Sequence, residues 1–336
     1  MRLLVTGGAG FIGSNFIHYW LKRYSKDLIV NFDLLTYSGN LENLKDIENN
    51  PRYKFVRGDV REPKDVAKAI KGTDCVVHFA AESHVDRSLF AASDFITTNV
   101  LGTQILCELA ARENVKRLHY IGTDEVYGAL PLYTKEKFDE NTHFDPRNQY
   151  SASKAGAEYI VRAYYHTHNL PITITNCTNN FGPYQHPEKM IPLFITNLLE
   201  DKKVPMYGDG LYVRDWLYVE DHCNAIDVVL QEGKIGESYL VGAQHKEINN
   251  LTLTKMILRI LDKDDSFIEH VKDRPAHDRR YAVDWKKIAK LGWKPQYDLE
   301  TWLIKTVEWY KENVNWWKRV KSGEYRRYYK KVYDRR

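Results

Sequence analysis

Through the first half of the chain, short runs of apolar and β-branched residues alternate with longer stretches in which apolar positions return at helical spacing. The runs at 2–6, 28–32, 53–57, 75–79, 117–121 and 172–176 predict strands, and the stretches at 11–24, 63–70, 94–112 and 151–167 predict helices. Strands joined by crossover helices pair in parallel. These strand segments are apolar almost throughout, as expected when helices cover both faces of a sheet. The pattern loosens after residue 178. Strand-like pieces at 204–207 and 238–241 alternate there with helical patterns at 219–231, 253–261 and 299–314. Pro and Gly gather at Gly182-Pro183, Pro187, Pro192 and Gly208-Asp209-Gly210. The prediction is an α/β fold in two parts: a doubly wound parallel sheet over 1–178 and a smaller, interwoven C-terminal α/β lobe over 179–336.

Composition narrows the classes. Of 336 residues, 43% are hydrophobic and 28% charged, a globular balance that excludes a disordered or collagenous chain. The net charge of +4 sits in one place: residues 316–336 hold nine Lys/Arg and two acids. The body is therefore slightly acidic, and no nucleic-acid partner is expected. The basic, aromatic tail is read as ordered surface structure. Cys75, Cys107, Cys177 and Cys223 stand far apart in apolar segments, without metal-ligand spacing, so reduced core thiols are expected and no metal. No apolar run approaches the roughly 20 residues that span a bilayer, so no membrane partner is expected. Met1 leads directly into a strand, which argues for a cytoplasmic protein.

The first predicted strand runs into Gly7-Gly8-Ala9-Gly10-Phe11-Ile12-Gly13, which opens the first helix. Glycine is needed where the backbone turns sharply and must approach a pyrophosphate, and the helix start offers free N–H groups to the phosphates. This context makes the sheet Rossmann-type. Asp33 ends the second strand, 20 residues after Gly13. A carboxylate there hydrogen-bonds the adenosine ribose and repels a 2′-phosphate, so NAD is expected rather than NADP. Asp59, at the end of the third strand, is placed to reach the adenine. Small residues in Phe79-Ala80-Ala81-Glu82-Ser83 would let the cofactor lie against the sheet.

Tyr150-Ser151-Ala152-Ser153-Lys154 sets a phenol and an ammonium on one helix face. A phenol with its ordinary pKa of about 10 is a poor base at neutral pH. The ammonium and a cationic nicotinamide are expected to lower it. The pair then suits removal of a hydroxyl proton while hydride leaves the same carbon. Asp124 and Glu125 follow the fifth strand and should emerge at the same sheet edge. Simple oxidation needs no such acids; loss of a neighbouring proton and hydroxyl does, with Asp124 as general acid and Glu125 as general base.

The glycine turn combined with Tyr150 and Lys154 resembles the extended short-chain dehydrogenase/reductase family, whose members modify nucleotide sugars, over nearly the whole chain. Thr123-Asp124-Glu125-Val126-Tyr127-Gly128 is similar to the motif of its 4,6-dehydratase branch. That resemblance implies dTDP-glucose as substrate, oxidation at C4, elimination across C5 and C6, and hydride return to C6. It implies catalytic roles for Thr123, Asp124, Glu125, Tyr150 and Lys154. Cofactor contacts are implied for Gly7, Gly10, Phe11, Ile12, Gly13, Asp33, Leu34, Thr36, Asp59 and Val60. Further along they are implied for Phe79, Ala80, Ala81, Ser83, Thr98, Tyr150, Lys154 and Asn180. The runs Asn176–Gln185, 187–192, Arg214-Asp215-Trp216 and 273–281 are similar to substrate-gripping segments. They imply Ser83, Thr123, Asn179, Lys189, Met190, Pro205, Tyr207, Arg214, Asn250, Arg274 and His277 as substrate contacts, with Asn249 an alternative to Asn250. Ala276 departs from the usual glycine. Relatives are usually homodimers joined through a four-helix bundle, here built from 94–112 and 151–167.

Two other readings share these motifs. A UDP-hexose 4-epimerase or decarboxylase would keep the glycine turn and the Tyr/Lys pair. An epimerase has no use for Asp124 and Glu125, and a decarboxylase needs a cationic site that no residue advertises. A non-catalytic NAD-sensing protein would be expected to have lost Tyr150 or Lys154.

Overall fold

Seven parallel strands form the main sheet: β1 (Arg2–Thr6), β2 (Leu28–Asp33), β3 (Tyr53–Arg57), β4 (Cys75–His78), β5 (Arg117–Thr123), β6 (Ile172–Cys177) and β7 (Ser238–Val241). Their order is β7-β6-β5-β4-β1-β2-β3 in a computed structural model describing residues 1–243, 247–273, 275 and 277–322. Helices α1 (Phe11–Arg23), α2 (Pro63–Ile70), α3 (Gly102–Arg112), α4 (Gln149–His168) and α5 (Val219–Glu232) pack on it. Alternation along each strand sorts the two faces. Leu3, Val5, Ile29 and Val77 meet Phe16, Ile17 and Trp20 of α1 and Cys223 and Ile226 of α5. Leu4, Val30, Phe32, Val76, Leu118 and Tyr120 meet α2, α3 and α4 through Val66, Ile70, Leu106 and Val161. Each such side chain contributes roughly 1.5–3 kcal/mol by leaving water. The chain winds away from β1 in both directions, so a crevice opens at the carboxyl ends of β1 and β4.

The later elements build a second core. Helices Met190–Leu198, Asn250–Ile260, Leu299–Glu312 and Val314–Val320 pack with the parallel strand pair Val204–Tyr207 and Ile268–Val271. Two short pairs link this core to the crevice. Asn179–Phe181 runs parallel to Trp216–Tyr218, and Val213–Arg214 runs antiparallel to Ile248–Asn249.

Several elements differ from expectation. The stretch 94–112 is not one α-helix, because Ala92–Phe95 continues into a π-helical segment, Ile96–Leu101, before α3. The widened turn carries Asn99, whose amide makes a two-point clamp on Glu82, donating to its carbonyl at 3.0 Å and accepting from its N–H at 2.8 Å. Helix α4 begins at Gln149 because Asn148 caps it, accepting from Ser151 N at 2.9 Å while Ser151 Oγ accepts from Asn148 N. The helix expected over 299–314 stops at Glu312 and restarts at Val314. Helix Met190–Leu198 carries Pro192 in its first turn, where no backbone N–H is needed. The short paired strands are too brief for period-two alternation to register. All four cysteines are buried and unbridged. Among the described residues, no helix is long and apolar enough to cross a membrane.

Candidate active site

The cofactor end of the crevice is shaped by the turn after β1. Gly7 has φ +69°, and a Cβ there would lie 2.6 Å from Ala80 N; one at Gly13 would lie 2.4 Å from Gly7 O. Only glycine fits either place. Asp33 closes the turn from β2, its Oδ2 accepting from Ala9 N at 2.9 Å and its Oδ1 from Leu35 N at 2.8 Å. Burial lifts this carboxyl above its ordinary range, against the two N–H donors. Asp59 lines the same cleft, but its carboxylate is already engaged by Arg61 Nη2 at 2.6 Å. Although burial pushes Asp59 up, Arg61 brings it below the ordinary value. The cleft measures about 480 Å³. Every residue anticipated for the cofactor lines it: Gly7, Gly10, Phe11, Ile12, Gly13, Asp33, Leu34, Thr36, Asp59, Val60, Phe79, Ala80, Ala81, Ser83, Thr98, Tyr150, Lys154 and Asn180. Thr178, Asn179 and Gln185 also line it, each with a buried side-chain oxygen lacking a hydrogen-bond partner among the described residues. Open acceptors, a glycine turn and a carboxylate at the end of β2 fit a dinucleotide.

At the chemical end, β5 delivers Thr123, then a single 3₁₀ turn, Asp124–Tyr127. Thr123 caps this turn, accepting from Glu125 N at 3.3 Å. The tight turn points Asp124 inward; it is 1% exposed, and its Oδ2 has no hydrogen-bond partner among the described residues. Burial, then the nearby Glu125 and Asp215, raise the Asp124 carboxyl well above the usual range. Such surroundings favour the protonated form of the carboxyl. Asp124, Glu125, Tyr150 and Lys154 line one cleft.

One expectation is corrected here. Tyr150 was to be acidified by Lys154 together with a cationic nicotinamide; among the residues of the chain, burial, followed by Glu125, instead raises the phenol well above its ordinary value. The ammonium is directed elsewhere. Lys154 Nζ donates to the Ile121 carbonyl at 2.6 Å and lies 4.2 Å from the centre of the Tyr120 ring. Burial lowers Lys154 itself to about 8. Of the two charges expected to acidify the phenol, the Lys154 ammonium is therefore held on Ile121 O instead.

The anticipated substrate residues divide. Ser83, Thr123, Asn179 and Lys189 line the cleft, and Lys189 Nζ donates to Ser83 O at 2.7 Å. Met190, Pro205, Tyr207, Arg214, Asn250 and His277 do not line it; they sit on the second core and its linking strands. Tyr207 donates to Asp86 at 2.8 Å and stands edge-on to His277, which stacks on Tyr212 at 3.7 Å. Arg214 is buried over Tyr281 and donates to the Asp278 carbonyl at 2.9 Å. The strand pairing sets Arg214 opposite Ile248 and Val213 opposite Asn249, and Asn250 N donates to Tyr212 O at 2.9 Å. Of those two amides, Asn249 is spent capping the next helix, whereas Asn250 Oδ1 is buried without a hydrogen-bond partner among the described residues. Arg274 and Ala276 lie outside the described residues, as do tail residues 323–336.

The sequence reading did not single out Arg61, Asp94 or His186, took Cys177 as a core thiol, and gave Glu82, Gln185 and Glu188 no role of their own within the segments it named; all line the cleft. Glu188 is buried and accepts from Arg87 Nε at 2.8 Å, across 101 residues of chain. Burial would raise Glu188, but His84 and His186, then Arg87 and Lys189, hold it below the ordinary range. No local spacing announces such a pair.

The Rossmann-type sheet, the glycine turn and the facing Tyr150/Lys154 helix define the class: an extended short-chain dehydrogenase/reductase. A family model described as GDP-mannose 4,6 dehydratase matches residues 4–306. The dTDP-glucose 4,6-dehydratase of Escherichia coli is 46% identical over 97% of this chain and 98% of its own, and that of Mycobacterium tuberculosis is 45% identical over 98% of each. The solved dTDP-glucose 4,6-dehydratase of Streptomyces venezuelae, crystallised with NAD and dTDP, superposes with a TM-score of 0.93 at 46% identity, covering 95% of this chain and 100% of that one. The UDP-glucose 4-epimerase of Thermotoga maritima shares the fold at 26% identity and a TM-score of 0.86, covering 94% and 100%. The chain belongs to the nucleotide-sugar 4,6-dehydratase family.

Proposed function

We propose that this chain is a hydro-lyase that converts dTDP-glucose to dTDP-4-keto-6-deoxyglucose and water, with NAD unchanged at the end of each turnover. The observation that carries the reading is a buried Asp124 beside Glu125 in the cleft that also holds Tyr150. The glycine turn, Asp33, the Phe79–Ser83 segment and Thr98 would hold NAD, which supplies a hydride acceptor at C4 and a donor at C6. Tyr150, with Thr123 at its hydroxyl, takes the proton of the 4-hydroxyl. Glu125 takes the C5 proton, which the neighbouring ketone has acidified. Asp124 gives its proton to the C6 hydroxyl, which leaves as water. Glu125 then returns its proton to C5. Lys154, fixed on Ile121 O, keeps positive charge beneath the reacting edge.

Residues 1–178 supply the cofactor side and the later residues the nucleotide side, where Tyr207, Arg214, Asn250 and His277 would grip the dTDP moiety. Ile96, Leu101 and Tyr159 are exposed on the helices expected to pair, which supports a homodimer through a four-helix bundle. Four reduced, buried thiols fit the cytoplasm.

The test is incubation with dTDP-glucose and with UDP-glucose, followed by ultraviolet absorption in alkali. A 4-keto-6-deoxy product yields a new band and an epimer does not. Absence of the band with both sugars would remove the dehydratase reading, and an epimer in its place would favour the 4-epimerase. The two rates also measure base preference, which a single methyl shifts by about 1–3 kcal/mol.

A further inference from the structure

The C-terminal segment plays no part in the chemistry above, yet it reaches the glycine turn. Trp316, on helix Val314–Val320, is 7% exposed and donates from its indole Nε1 to Asn43 Oδ1 at 2.9 Å. Asn43, 1% exposed, donates from Nδ2 to the carbonyl oxygen of Ala9 at 3.0 Å. The N–H of Ala9 donates to Asp33 Oδ2 at 2.9 Å. A buried relay of three hydrogen bonds thus runs from residue 316 to the carboxylate that ends β2. Asn40 N also donates to Ala9 O at 2.9 Å, so the segment after Asp33 is folded back onto the turn. At its other end Trp316 packs edge-on against Trp309 and Tyr184, both part of the second core. The exposed ion pair between Arg319 and Glu42 runs alongside and adds little.

We propose that Trp316 is a positioning residue: acting through Asn43, it holds the glycine turn and Asp33 in the geometry that retains the dinucleotide. The inference rests on the reading that the cleft binds NAD. The turn grips phosphates with backbone N–H groups, so its hold depends on backbone position rather than on adaptable side chains. Without the indole N–H, Asn43 Oδ1 is left buried and unsatisfied, and the amide loses the bond that fixes its rotamer. Its Nδ2 is then no longer held against Ala9 O. A reaction that returns its hydride in every turnover gains from a cofactor that stays bound.

The test compares full-length wild type with Trp316→Phe and Asn43→Ala, and with Trp317→Phe as a control. Trp317 is buried more deeply still, at 1% exposed, but its Nε1 donates to Tyr310 O at 2.8 Å, inside the C-terminal helices. The NAD dissociation rate, the dinucleotide retained through gel filtration and Tm are measured for each. Trp316→Phe and Asn43→Ala should release NAD about tenfold faster, the factor expected for one lost buried hydrogen bond. The double variant should release it no faster than Asn43→Ala alone. Trp317→Phe should lower Tm yet keep the wild-type release rate. Wild-type release from Trp316→Phe, or equal acceleration by Trp317→Phe, overturns the proposal. Wild-type protein that binds no NAD overturns the cofactor reading itself, and that arm is read before any variant.

Discussion

Asp124 shows how one residue acquires its chemistry from its surroundings. Asp-Glu after a strand reads as an acid pair in the sequence, but the two carboxyls acquire different surroundings only when the 3₁₀ turn buries the first. Asp124→Asn keeps the shape and removes the proton. Its turnover should fall by about 10²–10⁴-fold, the usual contribution of a positioned general acid. Oxidation at C4 should persist, so reduced nicotinamide should accumulate in a single turnover, where wild type shows little. Full dehydration by this variant would overturn the assigned role. Tyr150 teaches the converse. Its spacing to Lys154 is legible, yet that spacing does not tell which oxygen receives the ammonium, because Ile121 O lies on strand β5, outside the helix.

At the scale of elements, the catalytic helix depends on its first turn. Asn148 and Ser151 satisfy each other's backbone N–H groups, which fixes the start of α4 at Gln149, one residue before Tyr150. Asn148→Ala should cost about 1 kcal/mol of stability, visible as a lower urea midpoint, and should reduce kcat more than it changes KM. Unchanged kcat would mean that Tyr150 is held by packing rather than by the cap. Amphipathic helices were legible from periodicity, as 63–70 was to the residue. The π-helical segment was not, because the widening serves a bond from Asn99 to Glu82 on a distant loop. The brief strands near residues 179, 213 and 248 exist because their partners arrive from elsewhere in the chain.

Over the whole molecule, the two cores meet across the cleft, and a buried ion pair is one of the ties. Arg87 belongs to the first half and Glu188 leads into the second. The folded-state carboxyl is depressed, so its contribution is fully present above the unfolded value of about 4.5 and is lost as pH falls through the lower folded value. Glu188→Gln should therefore be destabilised by about 3 kcal/mol at neutral pH, since a neutral amide replaces the buried carboxylate that faces the Arg87 charge. Urea titrations of wild type and variant should converge as pH drops below the ordinary glutamate range. A gap that stays constant down to pH of about 3 would show that the pair is not ionised in the folded protein. The sequence by itself determined the parallel sheet, the glycine turn and the Tyr/Lys and Asp/Glu pairs, because periodicity and short spacings are local and survive without a fold. Only the tertiary structure decided which of two adjacent acids is buried, where the lysine ammonium goes, how Glu188 meets Arg87 and why residue 316 matters to residue 9. Those outcomes depend on desolvation and on contacts between segments far apart in the chain, and neither quantity exists until the core has closed.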